Sequence, residues 1–190
     1  MRLTRQGSIR KILTAMLLGA AIAGALSLPS AATATTVESA SSSGDNTCWN
    51  YKTSERSFAK KNNAARAAIA LGKLSLDPEL SRVAIKHTQE MIKAASGEIG
   101  GDDLFHSTAT QLRNRVTGDW TLLGENVGVG GTVSSLHEAF MNSPLHRANM
   151  LNPTFKHIGV GVIKKDNRIW VTVMFSAGGD PGTSLRMPRC

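Results

Sequence analysis

The chain has 190 residues, a formal net charge of +8 and two cysteines, the size of one globular domain with short extensions, which excludes a multi-domain enzyme and a disulfide-dense miniprotein. Four basic side chains (Arg2, Arg5, Arg10 and Lys11) and no acidic ones fall in residues 1–34, so without that stretch the net charge is about +4. Such a mildly basic remainder suits an anionic cell envelope or lipid headgroups, and it has no dense Lys/Arg run of the kind that binds nucleic acid.

In chain order, the basic start leads into an apolar run from Ile12 to Leu28, then Pro29 and a small-residue stretch containing Ala32-Thr33-Ala34. This pattern predicts an export signal over residues 1–34, cleaved after Ala34. The run is shorter than the roughly 20 residues of a spanning helix and rich in Ala and Gly, which favours cleavage over an anchor. No cysteine follows the cleavage region to accept a lipid, so the expectation is a secreted, extracellular protein with no stable membrane anchor. Residues 35–47 are rich in Ser, Thr, Ala and Gly without apolar periodicity and read as a flexible linker. Residues 48–190 have the composition of a single compact domain.

Within that domain, good helix formers predict a first helix over Glu55 to Leu71, with Phe58, Ala65 and Ile69 in its apolar stripe and Gly72 as the stop. Asp77-Pro78 predicts the start of a second helix, capped by the carboxylate, with Leu80, Val83, Ala84, His87 and Met91 on one face and Ser96-Gly97 at its end. His87 there reads as a buried, hydrogen-bonded core residue. A Gly/Asp-rich loop from Gly97 to Asp103 follows, and then a short helix capped by Ser107 and running through Val116. Trp120 to Val129 reads as a short strand leading into an exposed turn at Gly124-Glu125-Asn126. Val133 to Asn142 forms a further amphipathic helix, and Ser143-Pro144 caps and opens a short one over Leu145 to Leu151, ended by Asn152-Pro153. Finally, Ile158 to Ile163 and Ile169 to Phe175 flank Asp166-Asn167 as a β-hairpin. Helices on a mainly antiparallel sheet make an α/β sandwich, and the mixed order of elements argues against a doubly wound parallel sheet.

Cys48 and Cys190 bracket the domain in a compartment where disulfides persist. Their even number predicts a bond joining the two ends, worth up to about 5 kcal/mol on a chain-entropy account, with free or intermolecular thiols as the other reading.

Several strings, in this order, resemble a bacterial member of the CAP superfamily (cysteine-rich secretory, antigen-5 and pathogenesis-related proteins). They are N-N-A-A-R-A from Asn62, L-D-P-E-L-S-R-V-A from Leu76, His106 after the loop, G-E-N-V from Gly124, F-M-N-S-P-L-H-R-A-N-M-L-N-P from Phe140, and I-G-V-G-V from Ile158. The resemblance implies a three-layer α-β-α sandwich with a surface cleft around two histidines and two acidic residues. Position by position it assigns His106, Glu125 and His146 to that cleft. The fourth place, an acid in animal and plant members, is occupied here by Ser143.

Two imidazoles can hold zinc, and Glu125 can serve as a third ligand, a partner that orients a ring, or a base on metal-bound water. The same three groups can equally form a purely structural network. Neither H-E-x-x-H nor G-x-S-x-G occurs. Ser143 beside His146 suggests a nucleophilic pair, but a capping role would engage its hydroxyl with backbone amides. The resemblance also implies extracellular roles, with some relatives binding sterols, fatty acids or other apolar ligands. The expectations are therefore a binding module for a lipid or apolar small molecule, or for an envelope or host partner, or else a metal-assisted hydrolase.

Overall fold

The computed structural model describes residues 2–4, 49–99, 103–117 and 119–178. The rest of the expected leader, all of the linker and both cysteines lie outside the described residues, and with them the expected disulfide. The elements are β1 (Arg2–Thr4), α1 (Thr53–Ala67), β2 (Ser75–Leu76), α2 (Pro78–Ala95), α3 (Ala109–Arg115), β3 (Leu122–Gly130), α4 (Val133–Asn142), α5 (Pro144–Met150), β4 (His157–Lys165) and β5 (Arg168–Ala177). The strands form one sheet in the order β1-β3-β5-β4-β2. All neighbours are antiparallel except β2, which runs parallel to β4.

Alternation along the strands assigns the two layers of helix. Ile158, Val160 and Val162 of β4 and Val171, Val173 and Phe175 of β5 pack with Phe58 of α1, Leu136 and Phe140 of α4 and Met150 of α5. On the opposite face Leu123 of β3 and Met174 of β5 pack with Leu80, Val83 and Ala84 of α2 and Leu112 of α3. Each such side chain contributes about 1.5–3 kcal/mol by leaving water. The predicted sandwich of helices on both faces of a mainly antiparallel sheet is the architecture observed.

Glycine sets how closely α2 approaches. A Cβ on Gly159 would lie 2.2 Å from the Leu80 backbone carbon, and one on Gly161 would lie 2.3 Å from the Ile85 nitrogen. The I-G-V-G-V string is thus apolar on one face and side-chain-free on the other, so that α2 lies directly on the sheet. Asp77 caps α2 by accepting from the Leu80 N–H at 3.0 Å, with Pro78 as the first helical residue, as expected. Asp166 and Asn167 both adopt left-handed conformations between β4 and β5, the geometry of a two-residue hairpin turn.

Four local expectations need correction. α1 ends at Ala67 rather than Leu71, and Ile69 is 51% exposed rather than in the stripe. Its inward face carries Asn62 and Arg66 instead, and Arg66 donates to the carbonyls of Gly72, Met150 and Asn152 at 2.8, 3.1 and 2.8 Å. α3 is capped by Thr108, whose hydroxyl accepts from the Gln111 N–H, because the Ser107 backbone is drawn to Glu125. Gly124-Glu125-Asn126 is not an exposed turn but the middle of β3, with Glu125 1% exposed. Gly124 leaves space for the Phe155 ring, which would stand 2.8 Å from an added Cβ. Ser143 occupies the N-cap position of α5, but its side chain makes no capping hydrogen bond.

Candidate functional site

β3 is the axis of the site, because successive side chains on it reach opposite layers. Leu123 and Val127 pack on the α2 side, so Glu125 between them points that way too. Asn126 points to the other side, where it accepts from Asn149 Nδ2 at 2.8 Å and donates to the His146 carbonyl at 3.0 Å. Asn149 Nδ2 also donates to the Glu125 carbonyl at 3.2 Å. These amide contacts seat α5, and with it His146, beside the middle of β3.

Glu125 Oε1 accepts two hydrogen bonds, from His106 Nδ1 at 2.9 Å and from the Ser107 N–H at 2.8 Å. Burial by itself would raise the Glu125 carboxyl. The bonds from His106 and Ser107, with the charge of His87, outweigh that and hold it below the ordinary carboxylate range. It is therefore an acceptor only, and His106 must be the donor through Nδ1. In its neutral form the His106 ring then carries its lone pair on Nε2, the arrangement by which a carboxylate orients an imidazole for a ligand. The His106 side chain is 41% exposed, so that face of the ring is accessible.

His146 Nδ1 stands 2.9 Å from Ser143 Oγ, and its ring lies against Phe140 with centroids 4.7 Å apart. Burial, and then the charge of His106, depress its pKa below the ordinary histidine value, so the neutral ring prevails at pH 7. The two imidazoles are thus near enough for the charge of one to bear on the other. Leu145, the residue before His146, is an apolar side chain 82% exposed.

Behind Glu125 lies a relay with no counterpart among the sequence-based assignments of the cleft. His87 is fully buried, as expected, with Nε2 2.9 Å from the Phe105 carbonyl and Nδ1 3.3 Å from Glu90 Oε2. The same Nε2 is 3.9 Å from Glu125 Oε2. Glu90 is held in turn by a two-pronged contact from Arg115 at 2.9 and 2.8 Å. The available signal was Glu90 three residues after His87, on the same helix face. Trp120, Trp170 and His157 are buried.

The residues fit a resident metal only in part. The two imidazoles can supply two nitrogen ligands, but among the described residues no group of three or more His, Cys, Asp or Glu side chains stands close enough to hold an ion. Glu125 is turned to the back of the His106 ring rather than to its free nitrogen. The set falls short of the three protein ligands of catalytic zinc centres.

Residues 59–175 match the profile of the family described as "CAP: Cysteine-rich secretory protein family". The chain belongs to this family. Among curated CAP relatives it is 30% identical over 117 residues to the uncharacterized protein YkwD of Bacillus subtilis (strain 168), which covers 61% of the chain and 44% of that protein. The chain thus spans less than half the length of the curated relative it matches. Among solved structures, an outer surface protein of Borrelia burgdorferi matches with a TM-score of 0.56 at 23% identity, over 69% of this chain and 97% of that one. An SCP-domain extracellular protein of Bacillus anthracis matches at 0.53 and 24%, over 66% of this chain and 40% of that one. A cysteine-rich secretory protein of Staphylococcus aureus matches at 0.51 and 21%, over 66% and 39%. These three likenesses are of fold.

Proposed function

We propose that this CAP domain is a secreted, extracellular and non-enzymatic binding module whose cleft, formed by His106, Glu125, Ser143 and His146, receives a lipid or other apolar small molecule, or an envelope or host partner. The observation that carries this reading is that the cleft carboxylate is turned away from any reacting atom. The buried Glu125 carboxylate spends Oε1 on His106 and the Ser107 backbone, and its Oε2 is buried 3.9 Å from His87 Nε2, without a hydrogen-bond partner and away from solvent. The Ser143 hydroxyl is held by His146. What remains outward is a pair of imidazole edges and the exposed Leu145, which suits recognition by hydrogen bonding and apolar contact.

Export by cleavage after Ala34 belongs to the same proposal, and N-terminal sequencing of the secreted protein should begin at Thr35. The functional test combines mass-spectrometric identification of whatever co-purifies with the secreted protein, metal analysis, and the double variant His106→Ala with His146→Ala. A co-purifying ligand lost in the double variant, with substoichiometric metal in both proteins, supports the binding module. Stoichiometric zinc, together with a hydrolytic activity that the double variant lacks, would replace it with the metal-assisted hydrolase.

A further inference from the structure

Among the described residues, the outer edge of β3 is paired over only part of its length. β3 pairs with β5 along all nine of its residues, Leu122 to Gly130. On its other side it pairs with β1 at three positions, Arg2 with Gly124, Leu3 with Leu123 and Thr4 with Leu122. β1 is the last strand on this side of the sheet. Its residues belong to the stretch expected to leave with the export signal, and their removal would expose the Leu122–Gly124 edge. An exposed edge of this kind is a template for another strand.

The edge position has a defined end. One residue beyond Gly124, the Glu125 carbonyl is taken by Asn149 Nδ2, so the α5 layer closes the ladder there. Because β1 is antiparallel, the N-terminal direction of the paired strand points past Gly124 toward Glu125. The His106 and Ser107 contacts to Glu125 begin at that point. A strand seated on this edge is therefore led, N-terminal side first, to the mouth of the cleft.

We infer that the β3 edge at Leu122–Gly124 is a strand-accepting slot, and that it binds an extended polypeptide segment in antiparallel register whose N-terminal side enters the His106/Glu125/His146 cleft. This rests on the reading of the cleft as a binding site and selects a polypeptide partner among the ligands named for it. Main-chain hydrogen bonds supply the affinity, as in other strand additions, and the cleft supplies the selection. Arg2–Thr4 is the chain's own occupant of the slot before cleavage.

The test uses the full chain and frees the slot by Leu3→Pro, with Thr4→Pro as a second variant, since proline lacks the amide donor a ladder requires. The probe is a synthetic peptide with the sequence of residues 1–8, Met-Arg-Leu-Thr-Arg-Gln-Gly-Ser. In the variants, hydrogen-exchange protection of those Leu122–Gly124 amides that face β1 should fall by about tenfold and return when the peptide is added, while the amides that face β5 stay protected. The unaltered chain, its slot full, should not bind the labelled peptide, nor should a peptide with proline at its third position bind either variant. Adding His106→Ala and His146→Ala to the Leu3→Pro chain should weaken the peptide by about fivefold or more if its N-terminal side enters the cleft. Unchanged affinity there, with protection still restored, overturns the cleft half of the inference and leaves the binding-module reading to its own co-purification test. Protection unaffected by the proline variants, no rescue by peptide, or a freed edge that pairs with a second copy in sedimentation equilibrium overturns the slot itself.

Discussion

The seam between α2 and the sheet and the cleft astride β3 are built on opposite principles. At the seam, Gly159 and Gly161 bring backbone against backbone with no room for a methyl group. At the cleft, position is set by hydrogen bonds to Glu125 and by the Asn126–Asn149 pair. Packing contacts fail all at once when violated, whereas a hydrogen-bonded cleft loses one constraint at a time and retains its fold. The comparison teaches that the CAP strings in this chain do two jobs. I-G-V-G-V holds the scaffold, and G-E-N-V holds the cleft side chains in place.

Substitutions should separate the two regions by size of effect. Gly161→Ala drives a methyl into the Ile85 backbone and should cost about 3 kcal/mol or more, read as a large fall in the urea midpoint. A neutral result would mean that α2 is not seated as described. Arg66→Met leaves the carbonyls of Gly72, Met150 and Asn152 without their donor and should cost about 2–4 kcal/mol by the same measurement. In the cleft, Glu125→Gln should cost only about 1–3 kcal/mol while releasing the His106 ring, visible as a change in its tautomer by nitrogen-15 NMR.

The pH dependence has a definite sign. Glu125 is held below its ordinary value in the folded protein, so its contribution is present above the unfolded carboxylate range and is lost as pH falls through the folded value. His146 and His157, both depressed chiefly by burial, act in the same direction from the ordinary histidine range downward. Glu55 and Asp77, raised chiefly by burial, act in the opposite sense, so the Glu125 contribution is read from the gap in urea midpoint between the unaltered protein and Glu125→Gln, which should narrow as pH falls through the acid range. The smallest effect belongs to Ser143→Ala, which should stay within about 0.5 kcal/mol because the hydroxyl does not cap α5. A loss near 1 kcal/mol that persists when His146 is also replaced by Ala would restore the capping role.

What was legible in the sequence follows from the same contrast. The caps at Asp77 and Thr132, the Asp166-Asn167 turn and the alternation in β4 are local signals, and the helices and hairpin follow from them. The errors lie where a distant partner overrides a local preference. Gly124-Glu125-Asn126 has the composition of a turn, yet β5 pairs it and Phe155 fills the space beside it. Ser107 is a good cap, but the Glu125 carboxylate takes its amide and moves the cap to Thr108. At Ser143 the competing partner is local, since its hydroxyl meets His146 three residues on in α5 instead of capping a backbone amide. His106, Glu125 and His146 could be assigned to one cleft through family resemblance, whereas in the support behind Glu125 only the His87–Glu90 spacing is local, and the contacts of Arg115 with Glu90 and of His87 with Glu125 join residues far apart in sequence.

The account depends most on the two imidazoles sharing one cleft. The direct measurement is the NMR titration of His146 in the unaltered protein and in His106→Asn. The charge of His106 helps depress His146, so its removal should move the His146 midpoint upward. An unchanged midpoint would separate the two rings and contradict the cleft.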